Sequence, residues 1–109
     1  MNADQFRIEL DNIKNQIVNK FNPKEIVLFG SLAKGTFRSN SDIDLCIIKD
    51  TDNKRDLITK IYTEIDCNVP YDIVVYTISE WEKFKNDKDT FVYSIIKNGL
   101  KIYGWYIKI

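Results

Sequence analysis

Asp42 and Asp44 stand two residues apart at the head of an apolar run, Asp42-Ile43-Asp44-Leu45-Cys46-Ile47-Ile48. In an extended segment residues i and i+2 point to the same side, so both carboxylates come within reach of a common cation. Two anions held that close repel, and they need a metal or a strong donor between them to stay ionised. Asp72 heads another apolar run, Tyr71-Asp72-Ile73-Val74, in the same manner. Gly30-Ser31 closes an earlier run, and its backbone N–H groups and hydroxyl can meet phosphate oxygens, glycine allowing close approach. Each feature alone has an ordinary reading, a solvated strand end or a strand-closing turn. Together they put polar chemistry at one end of a sheet, and an acid such as Asp44 between apolar neighbours is costly unless a cation relieves it.

Composition narrows the chemistry further. The chain has no histidine, which removes Ser-His-Asp and Cys-His catalysis and the usual neutral-pH base, so any reaction must run on carboxylates, metals or lysine. Cys46 and Cys67 form no C-x-x-C pair and read as reduced thiols of a cytoplasmic protein, with Cys46 a packing residue. Sixteen basic and sixteen acidic residues cancel, without a long block of like charge, so stable nucleic-acid binding is not expected. Lys34 and Arg38 are the cations nearest the Gly30-Ser31 turn, where each is either a phosphate contact or a solvated loop charge. No stretch approaches the ~18 apolar residues of a membrane span, and the amino terminus has no apolar signal core.

The elements that must position these groups follow from periodicity. Phe6, Leu10, Ile13, Ile17 and Phe21 form one stripe of a helix over about 4–20, ended by Asn22-Pro23. Residues 25–29, 43–48 and 71–76 are short β-branched runs bounded by turn residues, and they predict strands. Helical spacing returns over 54–66, and Ser79 with Glu82 reads as a capping box for a helix that packs Trp81 and Phe84. A last helix over about 90–98 predicts Gly99 in the left-handed conformation, followed by an edge strand over 100–103. The expected fold is α/β (α+β), one domain over 1–109 with a small mixed sheet flanked by helices. Trp105-Tyr106-Ile107-Lys108-Ile109 extends past the last strand as a candidate sheet-edge cover or interface.

Gly30-Ser31-Leu32-Ala33-Lys34-Gly35, then Ser41-Asp42-Ile43-Asp44-Leu45 and a third acid on a later strand, resembles the DNA polymerase beta-like nucleotidyltransferases. The likeness is to the minimal, MNT-type members, and the ending Ile95 to Tyr103 is similar to theirs. The resemblance implies that Gly30 and Ser31 hold nucleotide phosphates, that Asp42 and Asp44 bind two Mg²⁺ (or Mn²⁺) ions, and that Asp72 completes the second metal site, as ligand or general base. Lys34 stands where arginine is common in the family; lysine keeps the charge and loses the bidentate fork. The resemblance also implies transfer of a nucleoside monophosphate, AMP from ATP, onto a tyrosine of a HEPN-domain toxin, with this chain as antitoxin. A contact-only binding module and an antibiotic nucleotidyltransferase completed by homo-oligomerisation are the competing readings.

Overall fold

The computed structural model describes residues 2–35 and 42–104. Arg38, Ser41 and the Trp105–Ile109 segment singled out above lie outside the described residues. The chain runs α1 (Ala3–Phe21), β1 (Glu25–Phe29), β2 (Ile43–Ile48), α2 (Lys54–Glu64), β3 (Tyr71–Tyr76), α3 (Ile78–Phe84), α4 (Phe91–Asn98) and β4 (Leu100–Gly104). The strands form one mixed sheet in the order β3-β2-β1-β4. β1 pairs antiparallel with both β2 and β4, while β2 and β3 are parallel, joined through α2.

Strand alternation divides the core in two. Ile26, Leu28, Ile43, Leu45, Ile47, Ile73 and Val75 face α1 and α2, where Ile13, Ile17, Leu57 and Ile61 meet them. Val27, Cys46 and Ile48 face α3 and α4 and pack on Trp81, Val92 and Ile95. β1 and β2 are thus covered on both faces, which is why they read as continuous apolar runs and not as alternating ones. β1 also carries the buried Glu25, whose carboxylate lies 3.1 Å from Lys101 Nζ on β4.

The helix ends refine the expectations. α1 is capped by Asn2, whose side chain accepts the Gln5 N–H while Gln5 reaches back to the Asn2 N–H, and it ends on Asn22 in the left-handed region (φ 49°). α2 ends at Glu64, two residues short of the expected span, because Ile65 turns extended and is buried in the core. From α1, Lys20 Nζ donates to the Glu64 carbonyl and Gln16 Nε2 to the Asp66 carbonyl. The capping box of α3 is Thr77 with Glu80, not Ser79 with Glu82: Thr77 Oγ1 accepts the Glu80 N–H and Glu80 accepts the Thr77 N–H. The Ile78 N–H donates to Asp50 Oδ1, which fixes the helix start directly against the end of β3. Gly99 is extended (φ −91°, ψ 173°) and not left-handed. Glycine is needed there for space, since a Cβ would run into the Ile95 carbonyl oxygen and approach Val27 Cγ1 to 2.8 Å.

Candidate active site

The three aspartates project from one end of the sheet, on the face shared by α3 and α4. Asp44 is flanked by Phe29 of β1 and Asp72 of β3, its register partners. Because β2 and β3 are parallel, the Asp44 and Asp72 backbones lie one strand spacing apart, about 4.8 Å, with both side chains on the same face. Asp42 immediately precedes β2 and is exposed, as is Asp72, whereas Asp44 is half-buried. The Asp44 carboxyl is held above the usual carboxylate range, first by burial and then by the charges of Asp72 and Asp42. The three acids therefore form one electrostatic unit.

Gly30 completes the floor. It adopts φ 79°, a left-handed conformation that favours glycine, and a Cβ there would overlap the Asp44 carboxylate, with Asp44 Cγ at 3.2 Å. The chain then turns through residues 31–35, where the Lys34 N–H donates to the Ser31 carbonyl and the Gly35 N–H to that of Leu32, each at 3.2 Å. Leu32 is buried and anchors the turn, leaving Ser31 and Lys34 exposed. Gly30 and Lys34 line a groove with Phe29, Phe91 and the outer side of α4. Asp42, Asp44, Asp72, Gly30, Ser31 and Lys34 are thus brought to one end of the sheet.

Oxygen donors alone, without thiol or imidazole, suit a hard divalent cation such as Mg²⁺ or Mn²⁺. Among the described residues no three acidic or sulfur side chains already converge as a metal cage. The carboxylates repel one another, and neighbouring strand registers keep them together; the residues fit cations as the charge that would offset this repulsion.

Sequence reasoning missed what holds Asp72. Tyr62 on α2 stacks on Tyr71 (centroids 5.2 Å apart, planes at 22°), and its hydroxyl accepts the Ile73 N–H at 2.9 Å. Asp72 is bracketed, its predecessor held by a ring and its successor by a hydrogen bond. In sequence, Tyr62 is one more apolar-face residue of a helix; only the closure of α2 over the β3 edge reveals the clamp. The thiols take no part: Cys46 is fully buried, its pKa pushed up to about 12 chiefly by that burial, and Cys67 is half-buried below α1. Among the described residues no helix is long and apolar enough to cross a membrane.

Residues 10–103 match the family model of the nucleotidyltransferase domain. A protein of Methanocaldococcus jannaschii, provisionally named protein adenylyltransferase, is 33% identical over 84 residues, which span 73% of this chain and 78% of the relative. Among solved structures, a provisionally assigned nucleotidyltransferase of Sulfolobus solfataricus superposes with a TM-score of 0.58 at 19% identity, covering 95% of this chain and 90% of that one. A toxin–antitoxin structure with AMP-PNP superposes with a TM-score of 0.51 at 21% identity, covering 96% and 75%. At those identities the structural likeness bears on the fold, while the matched sequence includes Gly30, Ser31 and all three aspartates. By sequence and by fold, the chain belongs to the nucleotidyltransferase domain family.

Proposed function

We propose that this chain transfers AMP from ATP to a hydroxyl group with the help of two divalent cations, and that the acceptor is a tyrosine of a HEPN-domain toxin that it silences. One observation carries the reading: Asp44 and Asp72 are register partners on one face of the sheet, against a glycine turn that leaves room for the Asp44 carboxylate, and burial with the charges of Asp72 and Asp42 pushes the Asp44 pKa up. The naming of the M. jannaschii relative as a protein adenylyltransferase, and the toxin–antitoxin neighbour with AMP-PNP, support the nucleotide and the kind of partner.

In this reading Asp42 and Asp44 hold both cations, and Asp72 helps hold the second. Bound there, such ions neutralise the triphosphate and lower the pKa of the acceptor hydroxyl. Ser31 and the backbone of the Gly30 turn orient the phosphates, with Lys34 adding charge from the rim. The acceptor oxygen bonds to the α-phosphorus in line with the departing pyrophosphate, and its proton passes to Asp72 or to solvent. Gly30 keeps the Asp44 carboxylate where an added side chain would displace it.

The test incubates the protein with Mg²⁺, each NTP and the product of the adjacent reading frame, followed by intact-mass spectrometry. An AMP-sized gain on the partner that Asp42→Asn and Asp44→Asn abolish is the expected result. Full activity in either variant would sink the assignment, and tight binding without modification would mark a contact-only module.

A further inference from the structure

The groove beside Gly30 is built differently from the acid cluster it adjoins. Its volume is about 250 Å³, and its walls are Phe29, Gly30 and Lys34 on one side and Phe91, Ser94 and Asn98 on the other. A pocket for a whole small ligand commonly measures about 300–1,000 Å³, so this one suits a single part of a ligand. Phe29 is the register partner of Asp44 and shares its face, so the groove continues directly from the proposed phosphate site.

Phe91, the first residue of α4, is 51% exposed. Its edge-to-face contact with Phe29, at 5.5 Å and 88°, orients the ring and leaves much of it open to solvent. One turn and two turns further along the same side of α4 stand Ser94 and Asn98. Asn98 Nδ2 donates to the Ser94 carbonyl at 3.2 Å. That bond requires nitrogen on the inner side, so the amide oxygen is the atom available to a ligand.

We propose that this groove is the nucleobase subsite, with the base stacked on Phe91 and adenine selected by the Asn98 side-chain oxygen. The inference rests on the nucleotidyl-transfer reading above and assigns the part of the substrate that the aspartates do not touch. An acceptor oxygen matches the exocyclic amino group of adenine, whereas guanine places a carbonyl oxygen at the same position and is repelled. Lys34, on the phosphate side of the groove, marks the end at which the triphosphate enters.

Calorimetric titration with ATP, GTP and inorganic triphosphate, all with Mg²⁺, tests this. The wild type is expected to bind ATP more tightly than GTP, and GTP more tightly than inorganic triphosphate. Phe91→Ala should weaken ATP by about five- to a hundred-fold, the range for removing an aromatic partner of a stacked base, and leave inorganic triphosphate unchanged. Phe91→Trp should restore ATP binding, and Asn98→Ala should bring ATP and GTP together. An unchanged urea midpoint for Phe91→Ala establishes that its fold is intact. Equal affinity of the wild type for ATP and inorganic triphosphate, or an ATP affinity that survives Phe91→Ala, overturns the subsite. Failure of the wild type to bind any of the three overturns the nucleotidyl-transfer reading itself, and the subsite with it.

Discussion

Gly30 and Gly35 provide a matched pair for isolating the contact that shapes the site. Both adopt a left-handed backbone, φ 79° and 78°, so replacing either with alanine carries the same conformational cost, about 1–2 kcal/mol. They differ in what the new methyl group meets. At Gly35 none of the described residues lies within 4 Å of it, while at Gly30 the Cβ overlaps the Asp44 carboxylate and forces it to rotate away. Gly35→Ala should therefore lower Tm by roughly 4–16 °C, at about 4–8 °C per kcal/mol for a domain of this size, with turnover nearly unchanged at a temperature where it is folded. Gly30→Ala should show a similar or larger shift in stability together with a loss of about 100-fold in kcat, the scale on which a displacement of about 1 Å disables a reacting constellation. The assay pairs thermal denaturation with steady-state nucleotidyl transfer at saturating NTP. Should Gly30→Ala match Gly35→Ala in activity to within threefold, the proposed dependence of the chemistry on Asp44's position would be refuted.

Three further outcomes are expected. Asp44 has a folded pKa above its ordinary 3.8, so between those values the folded state holds the extra proton, and its contribution to stability, complete below 3.8, is lost as pH rises through the folded pKa. Metal-free Asp44→Asn should consequently gain urea resistance over wild type as pH is raised to neutrality; a gap that does not widen with pH would count against the electrostatic unit. Tyr62→Phe keeps the stack on Tyr71 but removes the acceptor for the Ile73 N–H, costing about 0.5–1.5 kcal/mol, and should lower kcat with little change in the KM for NTP; equal losses in stability and no loss in kcat would make the clamp merely structural. Thr77→Ala should cost about 1 kcal/mol as a lost helix cap, while Ser79→Ala should stay within about 0.5 kcal/mol; comparing their urea midpoints decides between the two frames of the capping box.

Strands β1, β2 and β3 were legible because each is a β-branched run bounded by Gly, Pro, Asn or Ser; burial on both faces makes β1 and β2 conspicuous, while the edge strand β3 buries only Ile73 and Val75. The acids were legible for the same reason, as charges interrupting apolar segments. What sequence could not resolve depended on neighbours distant along the chain. Thr77-Ile78-Ser79-Glu80 and Ser79-Glu80-Trp81-Glu82 both satisfy the capping pattern, and the Asp50 carboxylate that receives the Ile78 N–H favours the earlier frame. α2 stops where side chains of α1 take hold of its last carbonyl, that of Glu64, and of the Asp66 carbonyl just beyond it. Gly99 was recognised as necessary, but for its conformation, when the reason is the crowding of Ile95 and Val27. The groove along α4 could not be seen either, since Phe91 reads as one apolar position of an amphipathic helix until its exposure is known.

The parallel pairing of β2 and β3 makes Asp44 and Asp72 direct register partners, so their backbone separation is the spacing between neighbouring strands of the hydrogen-bonded ladder. That spacing is a property of the peptide group, and neither the length of the α2 connection nor the packing of its side chains alters it. A lineage carrying this scaffold can accumulate changes in its helices while inheriting a pair of carboxylates whose spacing is written in the main chain.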